Sequence, residues 1–374
     1  RDCLPLPPAD VSRGDGLPEQ AAGCGSEKAM KAAVLESITN IREHPRPLSF
    51  VDLPDPEPFE GQILVRVSTC GVCHTELDEI EGRTPPSSFP FILGHQIVGI
   101  VEKCGPRALK FSAGQRVGIG WIGSACGTCN YCRGGMENLC PDFRATGRDI
   151  PGGYAQYTTV LEDFAFPVPD AFSDAQAAPL LCAGAIGWRS LRLAGLADGE
   201  PLGLTGFGAS AHLVLQLARY LYPRSKICVF ARSERERNFA LSLGAGWAGE
   251  PAEKSPEKLA AVIDTTPAWK PVVEALANLA PGGRLVINAI RKEALDRDQL
   301  LRLEYPLHLW QEKEIKSVAN VARRDIAEFL DLAAKIPILP DVEEYAFFDA
   351  NRALAELKAG QIRGAKVLKI GNGR

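Results

Sequence analysis

The sequence predicts an α/β protein in two parts, a β-rich unit followed by a doubly wound parallel sheet, and three observations predict it. Between residues 30 and 182, short apolar runs are interrupted again and again by Gly and Pro, as in a sandwich or partly open barrel. From about residue 201 onward, fully apolar runs of four to seven residues alternate with amphipathic stretches, which is how buried parallel strands and their crossover helices read. The chain has 374 residues, enough for about two domains, each with a core of its own.

In order, strands are predicted at MKAAVLES, ILVRVSTC, HQIVGIVEKC, QRVGIG and YAQYTTV in the first part. In the second, strands at GLTG, ICVFA, AVIDTT, RLVINAI and IKSVAN alternate with helices at AHLVLQLARYL, ERERNFALSLG and PVVEALANLA. The tail adds helices at DIAEFLDLAA and ANRALAELKAG and a last strand at AKVLKI, placed to pack back on the first part. Residues 1–29 are rich in Pro, Gly and charge and show no period, so a disordered extension is expected there. They also lack the apolar core of a signal peptide.

A net charge of -4 and a pI near 5.9 give no sign of a nucleic-acid or membrane-surface partner. No apolar stretch approaches the roughly 18 residues of a membrane span. The eleven cysteines cannot all pair, and their tight C-x-x-C spacing points to metal in a reducing, cytoplasmic environment. Cys3, Cys24, Cys70, Cys104 and Cys228 read as small apolar fillers or exposed thiols.

In PLGLTGFGASAHLVLQLAR, Gly203, Gly206 and Gly208 lie between an apolar strand and an amphipathic helix. Glycines there let the backbone turn tightly and approach a pyrophosphate at the helix N-terminus. Strand, loop, helix and second strand together favour dinucleotide binding over a purely structural turn. At the end of the second strand, a cofactor without a 2′-phosphate is usually met by Asp or Glu. Here Ala231 takes that place, followed by Arg232, Ser233, Arg235 and Arg237. A small residue with Ser and Arg donors favours NADP over NAD, although Glu234 and Glu236 interleave with the arginines as they would in a solvated helix start.

Cys126, Cys129, Cys132 and Cys140 form C-x2-C-x2-C-x7-C. Four thiolates so close, separated by turn-forming Gly and Asn, can converge on one tetrahedral ion with no position left for water, a closed structural zinc site. Cys73, His95 and Cys182 are dispersed; two Cys and one His would leave a fourth zinc position open. Spacing alone does not unite these three.

The combination of GVCHTELD, GHQIVG, the four-cysteine lobe, LLCAGAIG and the Gly-rich turn, in this order, resembles the zinc-containing medium-chain alcohol dehydrogenases from about residue 30 to the C-terminus. The ARSERER stretch looks like the NADP-using branch. The resemblance implies a GroES-like β-rich catalytic domain over 30–182 and 321–374 and a Rossmann nucleotide-binding domain over 183–320. It implies two zinc ions per chain, the catalytic one held by Cys73, His95 and Cys182, and reversible hydride transfer between NAD(P)(H) and an alcohol or carbonyl substrate. Thr75 would pass the alcohol proton onward, and Glu76 would hold the ligand histidine. Trp121 would line the substrate pocket. A homodimer or homotetramer is expected.

Three positions depart from the family pattern. Gln96 replaces a Glu, Asp78 stands where a relay His is frequent, and Ile186 takes a spot often held by Thr. Two other readings compete: a zinc-free quinone or enone reductase, opposed by the cysteines, and a non-catalytic zinc-stabilised redox sensor, for which Gln96 and Asp78 speak.

Overall fold

The computed structural model describes residues 29–371. The expected extension and the thiols of Cys3 and Cys24 lie outside that range, except that the extension ends one residue early. Ala29 already pairs with Pro54 as the strand Ala29–Leu35 begins.

In the first part, the long strand Gln62–Val72 is the hub. It pairs antiparallel with Ile97–Cys104, with Tyr157–Leu161 and with Ala365–Lys369. Most of its residues are buried instead of alternating in and out, because neighbours cover it on both faces. Arg116–Ile119 and Ala165–Pro167 extend the sheet on one side. On the other, Val342–Ala346 runs parallel to Ala365–Lys369, the two joined through the helix Ala350–Lys358. The C-terminal strand thus returns to the first part. A separate small sheet pairs Ala29–Leu35 with Leu48–Pro54 and Phe91–Ile92.

The second part is a six-stranded, all-parallel sheet ordered Trp247–Gly249, Ile227–Phe230, Leu202–Thr205, Leu259–Asp264, Leu279–Ile287, Glu314–Ser317. Counted within the sheet this is the order 3-2-1-4-5-6, whose reversal beside the first strand opens a crevice at the carboxyl edge. Every residue of Leu202–Thr205 and Ile227–Phe230 is buried, as continuous apolar runs require in a sheet covered on both faces. One face carries Phe230, Val262 and Leu285 in a compact cluster with Leu276 of the helix Lys270–Asn278. The other face merges into a continuous core reaching into the first part.

The helix Arg323–Ala333 packs on Ala185–Ala194 and on the turn Leu180–Gly184. Buried Asp325 locks this packing, accepting from Arg189 at 2.5 Å and Arg192 at 3.1 Å. Among the described residues, no helix is long and apolar enough to cross a membrane.

Candidate active site and metal centres

The strand Gln62–Val72 ends at Cys73, which caps the short helix His74–Ile80. The cap is a capping box with a thiol where Ser or Thr is usual: the Cys73 sulfur accepts from the Thr75 amide at 3.4 Å, and Glu76 Oε2 accepts from the Cys73 amide at 2.8 Å. Glu76 therefore has one oxygen committed to the backbone. Its other oxygen lies 2.6 Å from His95 Nδ1, with both side chains buried. That contact sets the carboxylate beside Nδ1 and leaves Nε2 facing Cys182, whose sulfur is 3.3 Å away. His95 follows Gly94, whose φ is +96° and whose missing Cβ would strike Tyr154 and Cys70. Only glycine lets the histidine enter here. Cys182 stands on a single π-helical turn, Leu180–Gly184, between the helices Asp174–Pro179 and Ala185–Ala194; such turns recur at functional sites.

The ligand atoms of Cys73, His95 and Cys182 all lie within 4.8 Å of one another. A hydrogen bond from Cys182 holds the Cys73 thiol well below its ordinary value, and the same bond, with burial, pushes Cys182 well above. Burial opposes charge on His95, but the Glu76 carboxylate and the Cys73 sulfur outweigh it and raise its pKa. Two half-buried thiols beside a buried imidazole whose Nε2 faces Cys182 form a three-donor set suited to a soft divalent cation.

In the lobe, the sulfurs are separated by 3.9 Å for Cys126 and Cys132, 3.6 Å for Cys129 and Cys132, and 3.5 Å for Cys126 and Cys140. Zinc–sulfur bonds of about 2.3 Å arranged tetrahedrally give edges of roughly 3.8 Å, so the four thiols fit zinc. Amide groups of Thr128 and Cys129 hold the Cys126 thiol down to about 6. All nine described cysteines are free of disulfides; Cys70 and Cys228 are buried fillers.

Thr75 is buried, its hydroxyl 3.4 Å from the Cys73 sulfur. Trp121 is also buried, tilted against Phe143 at 4.9 Å with the Arg148 guanidinium 5.2 Å from its ring centre. Its neighbour Gly120 packs against the carbonyl of Leu181, next to Cys182.

At the nucleotide crevice, Gly206 has φ +78° and Gly208 caps the helix Ala209–Leu221. A Cβ at Gly206 would press on Thr265 and Thr266, whereas one at Gly208 would meet open space at the helix N-terminus. Gly203 needs correction. It lies within the strand Leu202–Thr205, its missing Cβ facing Leu259 and Val262, and so serves strand packing instead of the loop. Ala231 is buried just past the strand Ile227–Phe230. Ser233 spends its hydroxyl capping the helix Glu234–Ser242 with Glu236, and Arg237 ties down the carbonyls of Ala231 and Arg232. Arg232 and Arg235 are exposed, and neither Glu234 nor Glu236 pairs with them.

Of the departures, Gln96 is buried with its amide lying over Gly71, where a Cβ would be 2.3 Å from Oε1. Asp78 is not a free relay group: its Oδ1 takes Arg83 at 2.6 Å and Arg291 at 2.8 Å. Ile186 is half-buried in the helix after Cys182. Sequence reading missed Glu79, a fully buried carboxyl pushed up by burial and by Glu76. No local pattern marks Glu79, whose burial comes from the packing around the helix His74–Ile80.

Residues 59–170 match the family described as alcohol dehydrogenase GroES-like domain. The chain is 43% identical over 329 residues to "Probable alcohol dehydrogenase AdhA" of Mycobacterium tuberculosis, covering 87% of this chain and 93% of the relative. It is 31% identical over 354 residues to an alcohol dehydrogenase of Geobacillus stearothermophilus, covering 91% and 100%. A cinnamyl alcohol dehydrogenase structure from Sorghum bicolor superimposes with a TM-score of 0.80 at 25% identity, covering 93% of this chain and 99% of that one. Two cysteine clusters with zinc spacing, a doubly wound sheet in the order 3-2-1-4-5-6 and relatives matched along nearly their whole length lead to one conclusion: the chain belongs to the zinc-containing medium-chain alcohol dehydrogenase family.

Proposed function

We propose that the chain is a zinc-dependent alcohol dehydrogenase and aldehyde reductase with two zinc ions per chain and a preference for NADP(H). The observation that carries this reading is the convergence of Cys73, His95 and Cys182 on one point, with the Thr75 hydroxyl beside them. Bound there, zinc supplies Lewis acidity toward the substrate oxygen, and the nicotinamide carries the hydride. The chain's own residues orient and move the proton. Glu76 fixes the imidazole tautomer by its contact with Nδ1. Thr75 accepts the alcohol proton and hands it on. Trp121, tilted against Phe143 near Cys182, walls the pocket and excludes water. The lobe cysteines Cys126, Cys129, Cys132 and Cys140 hold a second zinc that staples the fold.

Gly206 and Gly208 are suited to a pyrophosphate at the helix N-terminus. The uncommitted guanidinium groups of Arg232 and Arg235 support a 2′-phosphate, and buried Ala231 offers no carboxylate to repel it. Residues 30–182 with 321–374 act as the catalytic domain, and 183–320 as the nucleotide-binding domain. Unpaired thiols among the described residues suit a reducing, cytoplasmic compartment, and the working form is a homodimer or homotetramer. The test is NADPH and NADH oxidation against a panel of aldehydes with zinc-loaded protein. Oxidation of neither cofactor with any aldehyde would contradict the reading.

A further inference from the structure

Two adjacent cations follow the fifth strand of the parallel sheet, Leu279–Ile287, and they face opposite ways. Lys292 turns back into the nucleotide-binding half: its ammonium reaches buried Asp264 and the carbonyls of Thr266 at 2.7 Å and Ala268 at 3.0 Å. This anchors the loop to the carboxyl edge of the sheet. Arg291 turns outward and reaches Asp78 at 2.8 Å, on the helix that begins at the zinc ligand Cys73. Asp78 lies three residues after Thr75, on the same helix face. The pair is largely shielded, with side-chain exposures of 7% for Asp78 and 23% for Arg291. Arg83 shares the same Asp78 oxygen and also pairs with Glu81, which Lys358 holds at 2.7 Å; Glu293 flanks Arg291 at 3.5 Å.

We propose that Arg291 is a positioning residue that clamps the loop after the strand Leu279–Ile287 to the helix His74–Ile80, so that the Asp78–Arg291 ion pair closes the cleft over a bound dinucleotide and must open before the cofactor leaves. The proposal rests on the reading that this cleft binds a nicotinamide cofactor. Dinucleotides lie at the carboxyl edge of such a sheet, and the hydride must pass between that edge and the Cys73 end of the helix. A bond joining the two therefore crosses the cofactor's exit. Arg291 can be removed cleanly because Asp78 keeps Arg83.

The experiment measures NADPH dissociation by rapid displacement from zinc-loaded protein at low and high salt, for wild type and Arg291→Gln. Dissociation is expected about fivefold faster in the variant at low salt, with wild type approaching the variant's rate as salt screens the pair. Arg291→Lys should recover part of the difference. Asp78→Asn should also speed release, and the double variant should be no faster than Arg291→Gln alone. Hydrogen exchange of residues 288–293 without cofactor should quicken in Arg291→Gln. Unchanged dissociation, or tighter NADPH binding in Asp78→Asn, would overturn the clamp. Were wild type to bind neither NADPH nor NADH, the cofactor reading would fail, and hydrogen exchange alone would decide whether the two halves are tied here.

Discussion

In the four-cysteine lobe every donor falls between Cys126 and Cys140, and the amides of Cys126 and Cys129 point at the sulfurs of Cys140 and Cys126. In the other cluster the donors come from the end of a strand, a glycine-entered loop and a π-helical turn, and a buried carboxylate holds the histidine. The lobe makes its geometry from a short stretch of chain, so metal binding and local folding there are one event. The dispersed cluster inherits its geometry from the packing of distant segments of one domain, so its donors converge whether or not they bind anything. A local site should fail by losing structure, and a dispersed one by losing chemistry.

Cysteine substitutions give the largest contrast. Cys126→Ser should lose one zinc per chain and lower the melting temperature substantially, because structural zinc binding is folding free energy. Cys182→Ala should abolish turnover while leaving thermal unfolding nearly unchanged, read by calorimetry beside an activity assay. If both variants lowered stability equally, the contrast would collapse.

Thr75→Val removes the buried hydroxyl near Cys73 at almost constant volume. Turnover should drop about a hundredfold or more, as for loss of a positioned proton-transfer group. Thr75→Ser should retain most of the rate. A Val variant as active as wild type would move the proton route elsewhere.

Two of the buried histidines, His95 and His212, extend the comparison. His95 is raised by its carboxylate and sulfur neighbours, whereas burial pushes lone His212 down to about 4. His212 donates from Nδ1 to the carbonyl of Gly208 and accepts the Asp341 amide at Nε2, so it stays neutral in the fold. Because its folded pKa is depressed, the unfolded chain takes the proton first. Stability is therefore full above the ordinary histidine value of 6.5 and lost as pH falls toward 4. The loss amounts to about 3 kcal/mol. His212→Gln should flatten this acid limb in urea unfolding followed against pH; an unaltered slope would remove His212 from the account.

The smallest effect concerns cofactor choice. Arg232→Ala should weaken NADP by roughly ten- to a hundredfold, the range of a charge-assisted bond of about 1.5–3 kcal/mol, and barely touch NAD. Fluorescence titration of both cofactors at fixed ionic strength checks it. Tighter binding of NAD by wild type would make ARSERER a solvated helix start.

These contrasts also explain what could be read before any fold was known. C-x2-C-x2-C-x7-C is legible because its chemistry is local. Strand–helix alternation revealed the parallel sheet for the same reason, since fully apolar runs such as ICVF have no other comfortable place. Cys73, His95 and Cys182 were united only by resemblance, because nothing in their spacing encodes the meeting of a strand end, a loop and a π-helical turn. Gly203 misled because a glycine one turn early in a Gly-rich segment reads like part of the loop, and only the facing Leu259 and Val262 show its packing role. Asp78 was visible as a departure, but its partner Arg291 lies 213 residues away, beyond any local pattern.

The most direct test of the account follows turnover and folding together while zinc is withdrawn stepwise by a chelator and then returned. The account predicts two zinc ions per chain at the start. Activity should vanish with the more readily removed one while the fold persists, the second loss should unfold the lobe, and returning zinc to the first site should restore turnover. Turnover that survives removal of both ions, or freshly purified protein holding one zinc or none, would contradict it.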